Sequence, residues 1–165
     1  MEKGFQIDST DRQILDVLSK NARMPYLEVA RMIGISGAAV HQRMQKMLDA
    51  GIVRGSHFQL DPGGLGYFTC AFIGIRVSLT TSTTHQQVYE KIREIPEIVE
   101  CHHTSGNYSL FVKIFTRSNE HLKKIIVEKI QTIAGVNSTE TFISLEKGFQ
   151  RQLPVREGNV LEYNG

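Results

Sequence analysis

Four potential metal ligands stand in a row at Glu100-Cys101-His102-His103. The surrounding pattern predicts a β-strand, and successive side chains of a strand point to opposite faces of its sheet. Cys101 and His103 would therefore share one face, and Glu100 and His102 the other. Two ligands on each face do not complete a tetrahedral zinc site. We therefore expect ordinary strand residues here, with no bound metal and no cofactor.

The sequence lacks the short motifs that mark common catalytic sites. It contains no GxSxG nucleophile turn, no phosphate-binding Walker A loop and no HExxH zinc motif. The glycines of Pro62-Gly63-Gly64-Leu65-Gly66 do not lead from a strand into an amphipathic helix, so they indicate a linker turn rather than a phosphate site. We expect no catalytic residues, and an enzyme is the least favoured class of function.

The segment Ser105-Gly106-Asn107-Tyr108-Ser109 predicts a tight turn between two strands. Such a turn can present successive backbone N–H groups to a carboxylate. Gly106 permits close approach, Tyr108 can form a wall of a site, and the Ser109 hydroxyl can donate or accept a hydrogen bond. A plain β-hairpin explains the same residues, and the pattern alone favours that alternative.

A segment without acidic residues, Ser36–Leu48, has the features of a DNA-reading helix. Its apolar residues recur at helical spacing and predict one buried face, formed by Val40, Met44, Met47 and Leu48. The predicted DNA-contacting residues lie at the helix start, on the opposite face and on its flanks: Ser36, Ala38, Ala39, His41, Gln42, Arg43 and Lys46. Small alanines let the backbone approach a groove, while amide and cationic groups bind base edges and phosphates. We predict that Gln42 and Arg43 lie closest to the bases. A three-helix unit that only packs or dimerises stays open as the alternative.

Residues 8 to about 55 predict three short helices that would position this segment. Asp8 and Asp11 suit the first turn of a helix that ends near Asn21. Pro25 is expected at the first position of the second helix. Gly34 should follow the end of that helix, Ser36 should cap the third, and Gly51 should end it. The predicted inward-facing residues of the first two helices are Ile14, Leu15, Leu18, Leu27, Ala30 and Ile33. This arrangement is a helix-turn-helix.

After a strand-like arm over residues 52–61, the chain alternates between strand and helix patterns. We expect strands over 68–77, 98–103, 109–115 and 139–145, and helices over 85–94 and 119–133. The order β-α-β-β-α-β is the ferredoxin-like arrangement and, with the helical block, predicts an α+β protein. Its helices cover only one face of the sheet, so we expect a second copy on the other face and therefore a homodimer. The predicted domains are residues 1–55, a linker arm over 56–66, a ferredoxin-like domain over 67–153 and a polar tail over 154–165.

The composition excludes several classes of protein. With 41% hydrophobic and 22% charged residues, the sequence is typical of a soluble globular protein. No apolar run approaches the ~20 residues of a membrane-spanning helix, and the N-terminus lacks the apolar region of a secretion signal. Cys70 and Cys101 are far apart, which favours reduced thiols in the cytoplasm. The net charge of +2 does not by itself require nucleic acid, so the prediction of DNA binding depends on where the charges lie.

Several motifs resemble those of the Lrp/AsnC family of transcription regulators. They are the letters NAR, GIS, KM and AGI of the helical block, the linker LDPGGLGY, the hairpin TSGNYSLFVKI and the segment KIQTIAGVNSTETFISL. The resemblance covers Ile7 to about Leu153 and is closest to the asparagine-responsive branch of the family. It implies a winged helix-turn-helix joined to a ferredoxin-like regulatory domain. It also implies dimers that assemble into octamers, with an amino acid bound between dimers near the hairpin.

Carried over to this sequence, the resemblance implies a DNA reader in Ser36–Leu48 and asparagine as the effector. The implied effector-binding residues are His103, Gly106, Asn107, Tyr108, Ser109, Gln131, Thr139 and Thr141. Two positions depart from the wider family: Ser109 stands where many members have Asp, and Pro25 where many have a Ser cap. The first departure puts a leucine-type effector in doubt. The alternative function is an amino-acid-sensing module or enzyme regulatory subunit without DNA binding.

Overall fold

The computed structural model describes residues 6–78 and 85–155. The chain divides into two compact units, one formed by Met1–Phe58 with Gln150–Gly165 and the other by Gln59–Phe149. The predicted linker over residues 56–66 is thus shared between the two units. Most of the predicted polar tail, residues 156–165, lies outside the described residues. No helix in the described residues is long and apolar enough to cross a membrane.

The first unit contains three helices, α1 (Ser9–Lys20), α2 (Tyr26–Ile33) and α3 (Gly37–Asp49). The predicted caps are confirmed. Asp8 and Asp11 form a capping box at the start of α1, Gly34 ends α2 with a left-handed φ of 75°, and the Ser36 hydroxyl accepts the Ala39 amide at 3.1 Å. The buried residues that join the three helices are Ile14, Val29, Ala30, Val40, Met44 and Met47.

Two details of α2 differ from the sequence-based expectation. Pro25 is the N-cap of α2 rather than its first residue, and its carbonyl accepts the amides of Glu28 and Val29. Leu27 is 65% exposed because Val29, Ala30 and Ile33 form the inner face, which leaves Leu27 on the flank. It lies over the start of α3, where a Cβ on Gly37 would be 2.8 Å from Leu27 Cδ2.

Leu48 lies at the margin of the buried face of α3 and is 39% exposed, so the prediction that it is buried was wrong. The segment over residues 52–61 forms no strand. Within the described part of this unit no β-strand is present, so the expected wing is missing there. A lone extended segment has no neighbour to supply the hydrogen bonds of a sheet.

The second unit is a four-stranded antiparallel sheet with helices α4 (His85–Arg93) and α5 (Asn119–Ile125). The strands are β1 (Thr69–Val77), β2 (Ile98–His103), β3 (Leu110–Thr116) and β4 (Val136–Ile143), in the spatial order β2-β3-β1-β4. This confirms the predicted α+β, ferredoxin-like order. The predicted helix over 119–133 is not a single α-helix and ends earlier: α5 continues directly into a π-helical turn over Ile126–Ile130, which the Gln131 amide closes by donating to the Ile126 carbonyl at 2.8 Å.

Alternation along the strands separates a buried face from an open one. The buried face packs against both helices through Ala71, Ile73, Ile75, Leu110, Val112 and Ile114 on the strands and Val88, Ile92, Leu122 and Ile125 on the helices. The opposite face carries Cys70, Phe72, Gly74, Arg76, Phe111, Lys113, Phe115, Glu140 and Phe142, and we refer to it as the open face. Among the described residues of this unit, no helix packs on the open face.

Candidate DNA-reading helix and effector-binding residues

Helix α3 turns one face into the helical core and the other to solvent. Val40, Met44 and Met47 are buried, while Ser36, Ala38, His41, Gln42 and Lys46 are exposed and Ala39 is half-buried. The structure therefore leaves six of the seven predicted DNA-contacting residues wholly or partly accessible on the surface of α3. The His41 ring also lies edge-on to Tyr26, with the ring centroids 6.0 Å apart.

Arg43, the seventh residue, is directed away from that surface. Its Nη1 lies 2.6 Å from Asp8 Oδ2 and 2.8 Å from Asp11 Oδ1, and 33% of its side chain is exposed. Hydrogen bonds to Asp11 and Asp8 raise the pKa of Arg43 above its ordinary value. The expectation that Arg43 lies beside Gln42 as a free base-reading group therefore does not fit this geometry, because two carboxylates of α1 hold the guanidinium. Helical spacing within α3 contains no information about a partner 32 to 35 residues away.

The hairpin between β2 and β3 is held to β1 by several hydrogen bonds. The Ser109 amide donates to the Ile75 carbonyl at 2.9 Å, and the Ser109 hydroxyl accepts the Val77 amide at 3.2 Å. The Ser109 amide is therefore engaged and cannot serve a carboxylate, contrary to one part of the sequence-based expectation. The amides of Gly106 and Asn107 make no hydrogen bond within the described residues, and nothing lies within 4 Å of a Cβ placed on Gly106.

Tyr108 lies on the open face rather than beside the helices. Its ring covers Gly74, where a Cβ would be 2.6 Å from the ring carbons, and its hydroxyl donates a hydrogen bond to Glu140. That hydrogen bond raises the pKa of Tyr108. The ring also adjoins Phe111 and Phe142, at centroid distances of 6.1 and 6.5 Å. Sequence reasoning missed Gly74 and Glu140, although a glycine inside an apolar strand is a recognised sign of close approach.

Gln131 and Thr139 are brought together on the helix side of the sheet. Gln131 is the C-cap of the π-helical turn, and its Nε2 donates to Thr139 Oγ1 at 2.9 Å. Thr141 follows two residues later on the same face of β4. Because π-helical turns occur often at functional sites, the change of helix type beside Gln131 is an additional sign of function. The sequence pattern did not reveal it.

His103 is distant from this group. The register places His103, Leu110, Ile75 and Thr139 in one row across all four strands. Three strand spacings separate His103 from Thr139 by roughly 14 Å. The His103 ring instead adjoins Tyr89, with the centroids 5.3 Å apart. The predicted effector-binding residues thus form separate groups and not one pocket within a single chain.

A groove of the second unit contains none of the predicted effector-binding residues. It has a volume of about 990 Å³ and lies between α4 and the end of the π-helical turn, beside Glu90, Glu94, Glu128 and Thr132. In residues 6–78 and 85–155, no group of three or more His, Cys, Asp or Glu side chains is arranged to hold a metal ion. His102 and Glu100 form only a pair, 3.3 Å apart.

Comparison with known proteins identifies both units. A family model described as "AsnC-type helix-turn-helix domain" matches residues 7–48, and one described as "Lrp/AsnC ligand binding domain" matches residues 70–153. The chain is 40% identical over 147 residues to Regulatory protein AsnC of Haemophilus influenzae, which covers 89% of this chain and 97% of that protein. It is 37% identical over 151 residues to Regulatory protein AsnC of Escherichia coli, with coverage of 92% and 98%.

Solved structures agree with these matches. The structure of Escherichia coli AsnC has a TM-score of 0.84, with 90% of this chain and 99% of that chain covered at 37% identity. A transcriptional regulator from Neisseria meningitidis, solved in complex with L-Met, has a TM-score of 0.85 at 22% identity, with 91% and 97% covered. The second likeness concerns the fold alone.

Proposed function

We propose that this chain, which belongs to the Lrp/AsnC family of DNA-binding transcription regulators, reads its operator with α3 and responds to asparagine bound between copies of its regulatory unit. The chain is a regulator and not an enzyme, as its relatives are named regulatory proteins. The match to an AsnC-type helix-turn-helix favours DNA binding over a sensing module that lacks it. Because the protein must reach DNA, we place it in the cytoplasm.

The exposed surface of α3 supports the assignment of the reading helix. Gln42 and Lys46 project from the side opposite the buried Val40 and Met44, and Ala38 leaves room at the helix start. An amide side chain can bind the N6 and N7 edge of adenine, whereas a lysine neutralises a phosphate. A fluorescence anisotropy titration with the region upstream of the protein's own gene tests this assignment. We expect specific binding whose affinity falls steeply with salt, because each neutralised phosphate releases counterions.

The hydrogen bond between Gln131 and Thr139 is the observation that carries the effector proposal. It fixes the Gln131 carboxamide while leaving its carbonyl oxygen to accept from a ligand. Asparagine offers a carboxamide that can both donate and accept, and leucine does not. If leucine were bound instead, its side chain would leave the polar groups of Gln131 unpaired. The cost of ~1–3 kcal/mol is enough to select asparagine over leucine.

The remaining groups that an amino acid needs lie elsewhere on the chain. The Gly106 and Asn107 amides suit a carboxylate, whereas Thr139 and Thr141 offer acceptors for an ammonium group. Because one chain does not unite these groups in a pocket, we propose that neighbouring copies complete the site. A site between dimers requires assembly beyond a dimer, and we propose an octamer, as the family resemblance implies. We propose that His103 contributes to the site only from a neighbouring copy.

Calorimetry tests the effector proposal directly. We expect asparagine to bind more tightly than leucine, aspartate or glutamine, and Gln131→Leu to remove that preference. Gln86→Leu is the matched control, because Gln86 is an exposed α4 residue that bonds only to Glu90 among the described contacts. Tighter binding of leucine, or no binding of any of the four amino acids, would contradict the effector proposal and leave the regulator assignment intact.

A further inference from the structure

We infer that Arg43 is a positioning residue of the reading helix: it joins α3 to the capping box of α1 and thereby sets where Gln42 and Lys46 meet DNA, without contacting DNA itself. The inference rests on the proposed role of α3 as the reading helix. It replaces the expectation that Arg43 reads a base.

The two carboxylates of the capping box divide their oxygens between α1 and α3. Asp8 accepts the Asp11 amide with Oδ1 at 2.8 Å and Arg43 with Oδ2 at 2.6 Å. Asp11 accepts the Asp8 amide with Oδ2 at 3.0 Å and Arg43 with Oδ1 at 2.8 Å. The guanidinium therefore completes a network in which each of the four carboxylate oxygens has a partner.

Burial makes this network costly to break. The Asp11 side chain is only 4% exposed, and among the described residues its partners are the Asp8 amide and Arg43, so removal of Arg43 would leave a buried carboxylate with one hydrogen bond from this part of the chain. A DNA phosphate that attracted Arg43 would have to compete with two carboxylates already within 2.8 Å. Both facts favour a guanidinium that stays on α1 when the protein binds DNA.

The position of the network explains how it would act on DNA reading. Arg43 follows Gln42 directly in the sequence and lies one helical turn before Lys46. An anchor at Arg43 therefore fixes the rotation and depth of the residues that face the groove. Base contacts depend on accurate placement, whereas phosphate contacts tolerate small shifts. Loss of the anchor should reduce specific binding much more than non-specific binding.

Salt dependence separates an anchor from a DNA contact. We would measure anisotropy on the operator and on a scrambled duplex, over a series of salt concentrations, for Arg43→Met, Asp11→Asn, the double variant and Lys46→Met. For Arg43→Met we expect roughly a tenfold loss on the operator, little change on the scrambled duplex and the parent salt slope. Asp11→Asn should also weaken binding to the operator. The double variant should bind the operator no more weakly than the single variant with the lower affinity, since both substitutions act on one network.

Lys46→Met is the control for a phosphate contact and should reduce the slope of log K against log salt by about 0.9. An equal reduction for Arg43→Met, with weaker binding to the scrambled duplex, would overturn the inference. If Lys46→Met and Gln42→Ala both leave binding unchanged, α3 is not the reading helix, and the proposed function's DNA assignment fails together with this inference.

Asp8→Asn provides a test that does not depend on the stability of Arg43→Met. Asparagine remains a good N-cap, so α1 keeps its start while Asp8 loses its charge. If Arg43 is an anchor, Asp8→Asn lowers the ratio of the affinity for the operator to the affinity for the scrambled duplex. If Arg43 instead contacts DNA, the weakened carboxylate pair would release the guanidinium to the DNA, and the same ratio would rise. A rise would therefore overturn the inference.

Discussion

Gln42 is exposed on α3, whose residues Val40, Met44 and Met47 are buried. We predict that Gln42→Ala weakens operator binding by roughly tenfold or more, as expected for loss of a bidentate base contact worth ~1–3 kcal/mol. Anisotropy with operators that carry single base-pair changes should show that discrimination is lost at one position. Gln86→Ala, the same substitution on α4, serves as the control. Unchanged affinity and specificity in Gln42→Ala would contradict the assignment.

Residue roles that depend on local sequence were predicted more successfully than those that depend on distant partners. The caps at Asp8 and Ser36 and the left-handed Gly34 follow from a few neighbouring residues, and the structure confirms them. The partners of Arg43 and Tyr108 lie 32 or more residues away, and no periodic pattern points to them. For that reason Arg43 was expected on the reading surface, and Gly74 and Glu140 were not anticipated at all.

At the scale of elements, alternation and helical periodicity identified the four strands and the helices α4 and α5 of the second unit. The largest error concerned the segment after α5, where a π-helical turn and Gly135, with a φ of 93°, end the helical region early. Strand β4 consequently begins at Val136, three residues before the expected start. Periodicity at 3.6 residues cannot anticipate an i→i+5 hydrogen bond, because the apolar spacing of Ile126 and Ile130 suits an α-helix as well.

The packing of the hairpin on β1 leads to a prediction about Gly74. In Gly74→Ala the new methyl group would meet the Tyr108 ring at 2.6 Å, so the ring and its hydrogen bond to Glu140 must shift. We expect Gly74→Ala to lower the free energy of unfolding by about 1–3 kcal/mol, the usual range for overpacking. Urea unfolding would measure it. Gly106→Ala is the matched control, because the same methyl group would meet nothing within 4 Å there. Equal stability of the two variants would contradict this account of Gly74.

A second prediction concerns the stability of a double variant that combines Gly74→Ala with Tyr108→Ala. Tyr108→Ala in the Gly74→Ala background removes the ring that the methyl group would meet. The double variant should therefore be less destabilised than the sum of the two single variants, because neighbouring substitutions that share one contact are not additive. Additive losses would indicate that Gly74→Ala acts through the strand itself and not through Tyr108.

At the scale of the whole molecule, the open face is the part of the sheet on which no helix of the described residues packs. Phe72, Phe111 and Phe142 lie in neighbouring positions, with ring centroids of adjacent pairs about 6 Å apart. Lys113 is the central cation of the face, and it lies over Phe72 and within 3.8 Å of Glu100. Its charge is therefore partly balanced within the chain. A face with an aromatic centre and polar margins has the composition of a protein interface, and a two-fold axis allows it to pack on its own copy.

Adjacent residues of β4 provide a matched test of this dimer. Phe142 lies on the open face and Ile143 on the opposite face, and their exposures within one chain are similar, 43% and 48%. If a second copy covers the open face, Phe142→Glu buries a carboxylate at the interface and should convert the assembly to monomers, whereas Ile143→Glu should remain at least dimeric. Sedimentation at micromolar concentration would measure both. Because both substitutions introduce a glutamate at neighbouring positions of nearly equal exposure, Ile143→Glu controls for the effect of the new charge on the stability of the chain. A stable monomer for the unsubstituted chain, or dimers in Phe142→Glu, would show that the open face is not where two copies meet.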